Sequence, residues 1–103
     1  MEVRVSGKSY KFEVYGTVGL MYKVETMLGG EKVDLANPKH LIMLCYAVFQ
    51  QCNKHLGDLP DFDEFLCSQT AKSIKDMDSY IGRRWRELEG EPAGKEDAAE
   101  GEG

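Results

Sequence analysis

The spacing of apolar residues changes twice along this 103-residue chain, and those changes restrict its possible folds more than any other feature. Val3 and Val5 alternate with polar neighbours, Ser6-Gly7-Lys8 has the composition of a turn, and Tyr10, Phe12 and Val14 alternate again. A period of two belongs to strands with one buried face. The segment therefore reads as an antiparallel hairpin, with Val3, Val5, Tyr10, Phe12 and Val14 on one face and Arg4, Lys11 and Glu13 on the other. From Thr17 the period lengthens to that of a helix, and from Gly90 no apolar pattern is left. A lone hairpin is marginal in water, so the helices that follow must cover its apolar face. The fold predicted is α+β: an N-terminal β-hairpin packed on a bundle of three to four helices. Residues 1–89 are expected to form a single domain, and residues 90–103 a disordered acidic Gly/Glu tail.

The first helix is predicted over 18–28, capped by Thr17 and stopped by Gly29-Gly30, with Leu20, Met21, Val24, Met27 and Leu28 on one side. In the connector 30–37, Val33 and Leu35 alternate as in a short extended segment. Asn37-Pro38 pairs a cap residue with proline at the first helical position. The second helix should run to about His55 and end at Gly57. Its apolar set, Leu41, Ile42, Leu44, Cys45, Ala47, Val48, Phe49 and Cys52, covers more than half its girth, which marks it as the most buried element. Asp61 followed by Glu64 makes a capping box for a third helix with Phe62, Phe65 and Leu66 on its apolar side. Ser68–Thr70 favours a break before a last helix carrying Ala71, Ile74, Met77, Ile81, Trp85 and Leu88. Gly82 inside that helix costs about 1 kcal/mol relative to alanine, so its C-terminal half is expected to fray or bend.

Charge separates the same regions. Residues 87–103 hold seven acidic groups against Lys95, a net −6, and residues 1–86 carry +1, which together make the −5 of the whole chain. The folded part is mixed in sign and lacks the broad positive field that nucleic acid would need. No run of about 18 apolar residues exists to span a bilayer. Met1–Val5 enters the strand pattern without an apolar leader, and the cysteine count is odd, so reduced thiols and a cytoplasmic location are expected.

No cluster of residues with catalytic chemistry stands out. Cys52 and His55 lie at i, i+3, with Cys45 two turns earlier and Cys67 elsewhere, yet no CxxC or HxxxH pairs them as zinc ligands. Small thiols at Cys45 and Cys52 suit the core stripe. His40 and His55 are separated by about 22 Å of helix at 1.5 Å per residue, too far to act on one substrate. Asp61, Asp63, Glu64, Asp76 and Asp78 lack the glycine-turned loop of a calcium site and suit helix starts. Gly16, Gly19, Gly29 and Gly30 do not form a phosphate loop, because no lysine accompanies them in the required pattern. No metal, no cofactor and no enzymatic activity are expected. Arg83, Arg84, Trp85 and Arg86 form the one basic cluster with an aromatic inside it. It suits a helix end, a protein contact or, against the acidity of Glu87 and Glu89, nucleic acid.

The layout resembles the tail assembly chaperones of long-tailed bacteriophages or prophages. The opening Val5-Ser6-Gly7-Lys8-Ser9-Tyr10-Lys11-Phe12 and the run Tyr46-Ala47-Val48-Phe49 carry the likeness, which spans residues 1–89. The resemblance implies a non-enzymatic protein of the bacterial host cytoplasm that binds the tape measure protein and keeps it soluble while tail tube proteins assemble. It also implies that a longer form arises by frameshifting near the end of the first frame, in the region of Gly94-Lys95. The family has no recognition motif to transfer. Contact residues are expected instead from exposed or half-exposed apolar groups on the last helix, Met77, Tyr80, Ile81 and Trp85. Five methionines suit an adaptable holding surface and equally suit ordinary core filling. Self-association into a homo-oligomer is a further expectation. The alternative is a small regulatory adaptor of a phage or mobile element, associated with nucleic acid through Arg83, Arg84, Trp85 and Arg86 and therefore salt-sensitive.

Overall fold

The computed structural model describes residues 1–90, so the expectation of a disordered acidic tail falls almost wholly outside the described residues. The fold is α+β, with a two-stranded antiparallel hairpin followed by four α-helices. Strand β1 is Glu2–Val5 and β2 is Lys8–Lys11, in the register Val3 opposite Tyr10 and Val5 opposite Lys8. Ser6 and Gly7 make the two-residue loop with φ of 52° and 82°. Positive φ at both positions is what the twist of a tight hairpin demands, and glycine adopts it without a Cβ clash. All five residues assigned to the apolar face, Val3, Val5, Tyr10, Phe12 and Val14, are buried.

Helix α1 is Thr17–Met27, α2 is Pro38–Asn53, α3 is Phe62–Cys67 and α4 is Ala71–Leu88. A single 3-10 turn, Lys54–Leu56, follows α2 and ends at Gly57. Asn37 caps α2 by accepting from the Lys39 N–H, and Pro38 opens it. Every residue from Leu44 to Phe49 is buried, so α2 is the central element that its apolar girth requires. The hairpin lies across it, with the Tyr10 ring edge-on to Phe49 at 5.1 Å. Asn53 secures the far end of the hairpin, donating from Nδ2 to the Lys11 carbonyl at 2.8 Å. The outer edge of β1 is closed by the link between α3 and α4, where Gln69 donates to the Arg4 carbonyl and Ser68 Oγ accepts from the Ser6 N–H, both at 2.9 Å.

Five local expectations are corrected. Thr17 does not cap α1: Gly16 holds that position, and the Thr17 hydroxyl donates to Glu89 Oε2 at 2.7 Å, tying α1 to the end of α4. The extended segment expected through Val33 and Leu35 is cut short by a turn at Leu35–Ala36, where the Asp34 carbonyl accepts from the Asn37 N–H and the Asp34 N–H donates to His40 Nδ1. Asp61 caps α3 by accepting from the Glu64 N–H, but the Glu64 carboxylate accepts from the Ser6 hydroxyl instead of closing a capping box. Leu66 is exposed rather than on the packed side of α3. Helix α4 runs through Gly82 without a break, held at its start by a reciprocal Thr70–Ser73 capping box and near its end by Thr17.

Candidate functional site

Two apolar walls that do not close against each other make the site. In α1, Leu20 and Val24 are fully buried against the core, while Val18 and Tyr22 stand on the opposite side, 82% and 74% exposed. Residues four apart share a helix face, so Val18 and Tyr22 form an apolar strip that no other described residue covers. Met21 lies between the two faces and is half-buried. Across from it, α4 presents Asp78, Gly82, Trp85 and Arg86, and Ile81 and Leu44 form the floor. Leu35 from the connector completes a recess of about 250 Å³. A second recess, bounded by Thr17, Val18, Met21, Trp85 and Glu89, shares Met21 and Trp85 with the first. Together they make a groove along α4 from Asp78 to Glu89, about 16 Å at 1.5 Å per residue.

The residues expected to bind a partner separate into three environments. Trp85 is half-buried and lines both recesses, and Ile81 contributes to the floor of one although it is only 4% exposed. Tyr80 lies on the other flank of α4, 6.0 Å from the Phe12 ring and beneath the Arg83 guanidinium at 5.5 Å. Met77 is 0% exposed. The expectation of exposure at Met77 and Ile81 is therefore corrected: both point from α4 into the core beneath the hairpin and α2, because they form the centre of its apolar stripe. Met21, Leu35 and Gly82 were not anticipated as groove residues. The available signal was Val18 and Tyr22, apolar residues on the wrong side of an otherwise ordinary amphipathic helix.

The basic cluster does not form one patch. Arg83 stacks on Tyr80, Arg84 pairs with Glu87, and Arg86 lines the groove. Bonding to Glu87 raises the Arg84 pKa, which strengthens its commitment to that neighbour. The histidines are equally divided. His40 is buried, with Nδ1 accepting from the Asp34 N–H at 2.9 Å, and His55 is exposed in the 3-10 turn.

Burial pushes the Cys45 thiol up to about 12, helped by the charge of Asp78, so this sulfur stays protonated and inert. Burial also raises the Cys52 pKa, and its Sγ donates to the Lys11 carbonyl at 3.2 Å. Cys67 is exposed. Among the described residues, no group of three or more His, Cys, Asp or Glu side chains could hold a metal ion. Among them, too, no helix is long and apolar enough to cross a membrane. The groove can accept apolar side chains from a partner and offers charged groups at its rim. No family model, curated protein or solved structure matches the chain.

Proposed function

We propose that the protein is a non-enzymatic phage tail assembly chaperone, which binds the tape measure protein in the bacterial cytoplasm and keeps it soluble while tail tube subunits assemble. The observation that carries this reading is the open apolar groove between α1 and α4, with Val18, Met21 and Trp85 along it. A groove of about 16 Å matches three turns of a helix at 1.5 Å per residue. Apolar anchors at helical spacing on a client segment would fill it in the helix-in-groove mode. Methionine and tryptophan suit that task, one by adapting to varied side chains and the other by offering a large contact area. The sequence likeness in the hairpin and in Tyr46–Phe49 points to the same class of client.

The coding DNA and its downstream neighbours test the reading first. A slippery site near the Gly94-Lys95 codons, followed by a gene for a long coiled-coil protein, is expected. Co-expression with that downstream protein should then raise its soluble fraction, and Val18→Asp should abolish the gain while the chain itself stays folded. Ordinary host genes downstream, or a client whose solubility does not respond, would overturn the proposal.

A further inference from the structure

Helix α4 carries a charge pattern that is complementary to its own reverse. Counting outward from Gly82, Asp78 is four residues before it and Arg86 four residues after, while Lys75 is seven before and Glu89 seven after. Each pair holds opposite charges at equal distances from one glycine. Steps of four and seven return to nearly the same side of a helix, so these residues share one flank. Asp78, Gly82 and Arg86 all line the groove with Met21, Leu35 and Trp85, and Glu89 bounds its continuation.

Within one chain the Glu89 carboxylate accepts from the Thr17 hydroxyl at 2.7 Å; the other three charges and the glycine have no such role among the described residues. Among the described residues, the ion pairs are Lys11–Glu13, His40–Glu31, Lys72–Asp76 and Arg84–Glu87, which leaves Lys75, Asp78 and Arg86 without an ionic partner. A Cβ placed on Gly82 would meet nothing nearer than the flexible Arg86 guanidinium at 3.8 Å. The chain's own packing therefore does not require glycine there, although glycine weakens a helix interior. Close approach of another backbone would require it.

We propose that this groove is closed by a second copy of the chain, in an antiparallel α4–α4 dimer whose two-fold axis passes beside Gly82. An isologous interface places residue i on j and j on i. Asp78 then faces the second copy's Arg86, and Lys75 faces its Glu89, each pair occurring twice. Missing side-chain atoms at Gly82 let the helices cross closely, and Met21, Leu35 and Trp85 lose solvent around that crossing. The inference rests on the charge register of α4 and not on the identity of the client proposed above. A client and a second copy would compete for the same groove.

Sedimentation equilibrium of the full chain alone tests it, so failure to find a client leaves the result unaffected. The wild type is expected to dimerise reversibly below about 1 mM, and more weakly as salt rises. Asp78→Arg or Arg86→Asp alone sets like charges opposite each other at two places and should weaken association at least about tenfold. The double variant Asp78→Arg/Arg86→Asp restores the register and should recover association to within about threefold of wild type. Gly82→Ala should also weaken it, with circular dichroism showing α4 intact. Lys75→Glu with Glu89→Lys repeats the swap at the outer pair, should either inner variant misfold. A wild type that stays monomeric to about 1 mM would overturn the proposal, as would single reversals without effect or a double variant as weak as the singles.

Discussion

Along α2 every residue from Leu44 to Phe49 is buried, whereas α4, two residues longer, buries only Met77 and Ile81. The two helices differ because of where they lie. Helix α2 has the hairpin, α1, α3 and α4 packed around it, and between Lys39 and Lys54 it carries no Lys, Arg, Asp or Glu. Helix α4 packs along one stripe and carries eight charged residues over Ala71–Leu88. A helix surrounded by protein has no side on which charge is cheap, while a helix at the surface has a whole face. Burial is therefore concentrated in α2, and the open apolar surface in α4 and the adjoining face of α1.

The most severe way to break this comparison is at Phe49, which is fully buried with Tyr10, Tyr46 and Phe65 rings within 6.1 Å. Phe49→Ala should cost about 3–5 kcal/mol in urea unfolding, because transfer and cavity terms add. Trp85→Ala at the half-buried groove should cost distinctly less; equal losses would erase the distinction between the helices.

A smaller effect, of a few kcal/mol at most, follows from Cys45 in α2. Its folded-state pKa is raised above the ordinary 9.0 to about 12, so its contribution is complete below pH 9 and is lost as pH climbs toward 12. The unfolded thiol gives up its proton first, which favours unfolding with rising pH. Tyr46, whose pKa burial also raises, acts in the same direction. Denaturation series across that range should show the loss, and Cys45→Ala should reduce it, leaving the part that Tyr46 and Cys52 contribute. Exposed Cys67 should be alkylated readily at pH 8, while Cys45 reacts only on unfolding.

Caps sharpen the comparison at about 1 kcal/mol. Thr70→Ala removes the side chain that accepts from the Ser73 N–H at 3.1 Å and should lower stability by roughly that amount. Thr17→Ala should cost less than Thr70→Ala, because it removes one exposed hydrogen bond, to Glu89 Oε2 at 2.7 Å, and no cap. A gain is expected from Gly82→Ala: at concentrations where the chain is monomeric, thermal unfolding should show stabilisation by up to about 1 kcal/mol, since the added methyl meets no backbone.

The elements themselves were largely legible. Hairpin alternation, Asn37-Pro38, Asp61 and the apolar girth of α2 are signals whose partners lie within a few residues, and each acts as local chemistry predicts. The site was less so. Of the four residues expected on an open face of α4, Trp85 lies half-buried along the groove, Ile81 and Met77 are buried, and Tyr80 faces the other flank. A helix's spacing tells which residues share a stripe, but which edge of that stripe is left open depends on the neighbouring element. Thr17 and Glu64 illustrate the same limit, since each side chain takes a partner distant in sequence, Glu89 and Ser6, over its local capping role.

By itself, then, the sequence determined that a hairpin with one apolar face must be covered by helices, and that the helix from Pro38 must lie at the centre. Those outcomes follow from hydrophobic period and turn chemistry, which are properties of adjacent residues. Only the tertiary structure decided that α1 would leave Val18 and Tyr22 uncovered and that Met21, Leu35 and Trp85 would line one groove. The reason is geometric: a groove is the space between elements, and its width depends on the packing of side chains far apart in the chain.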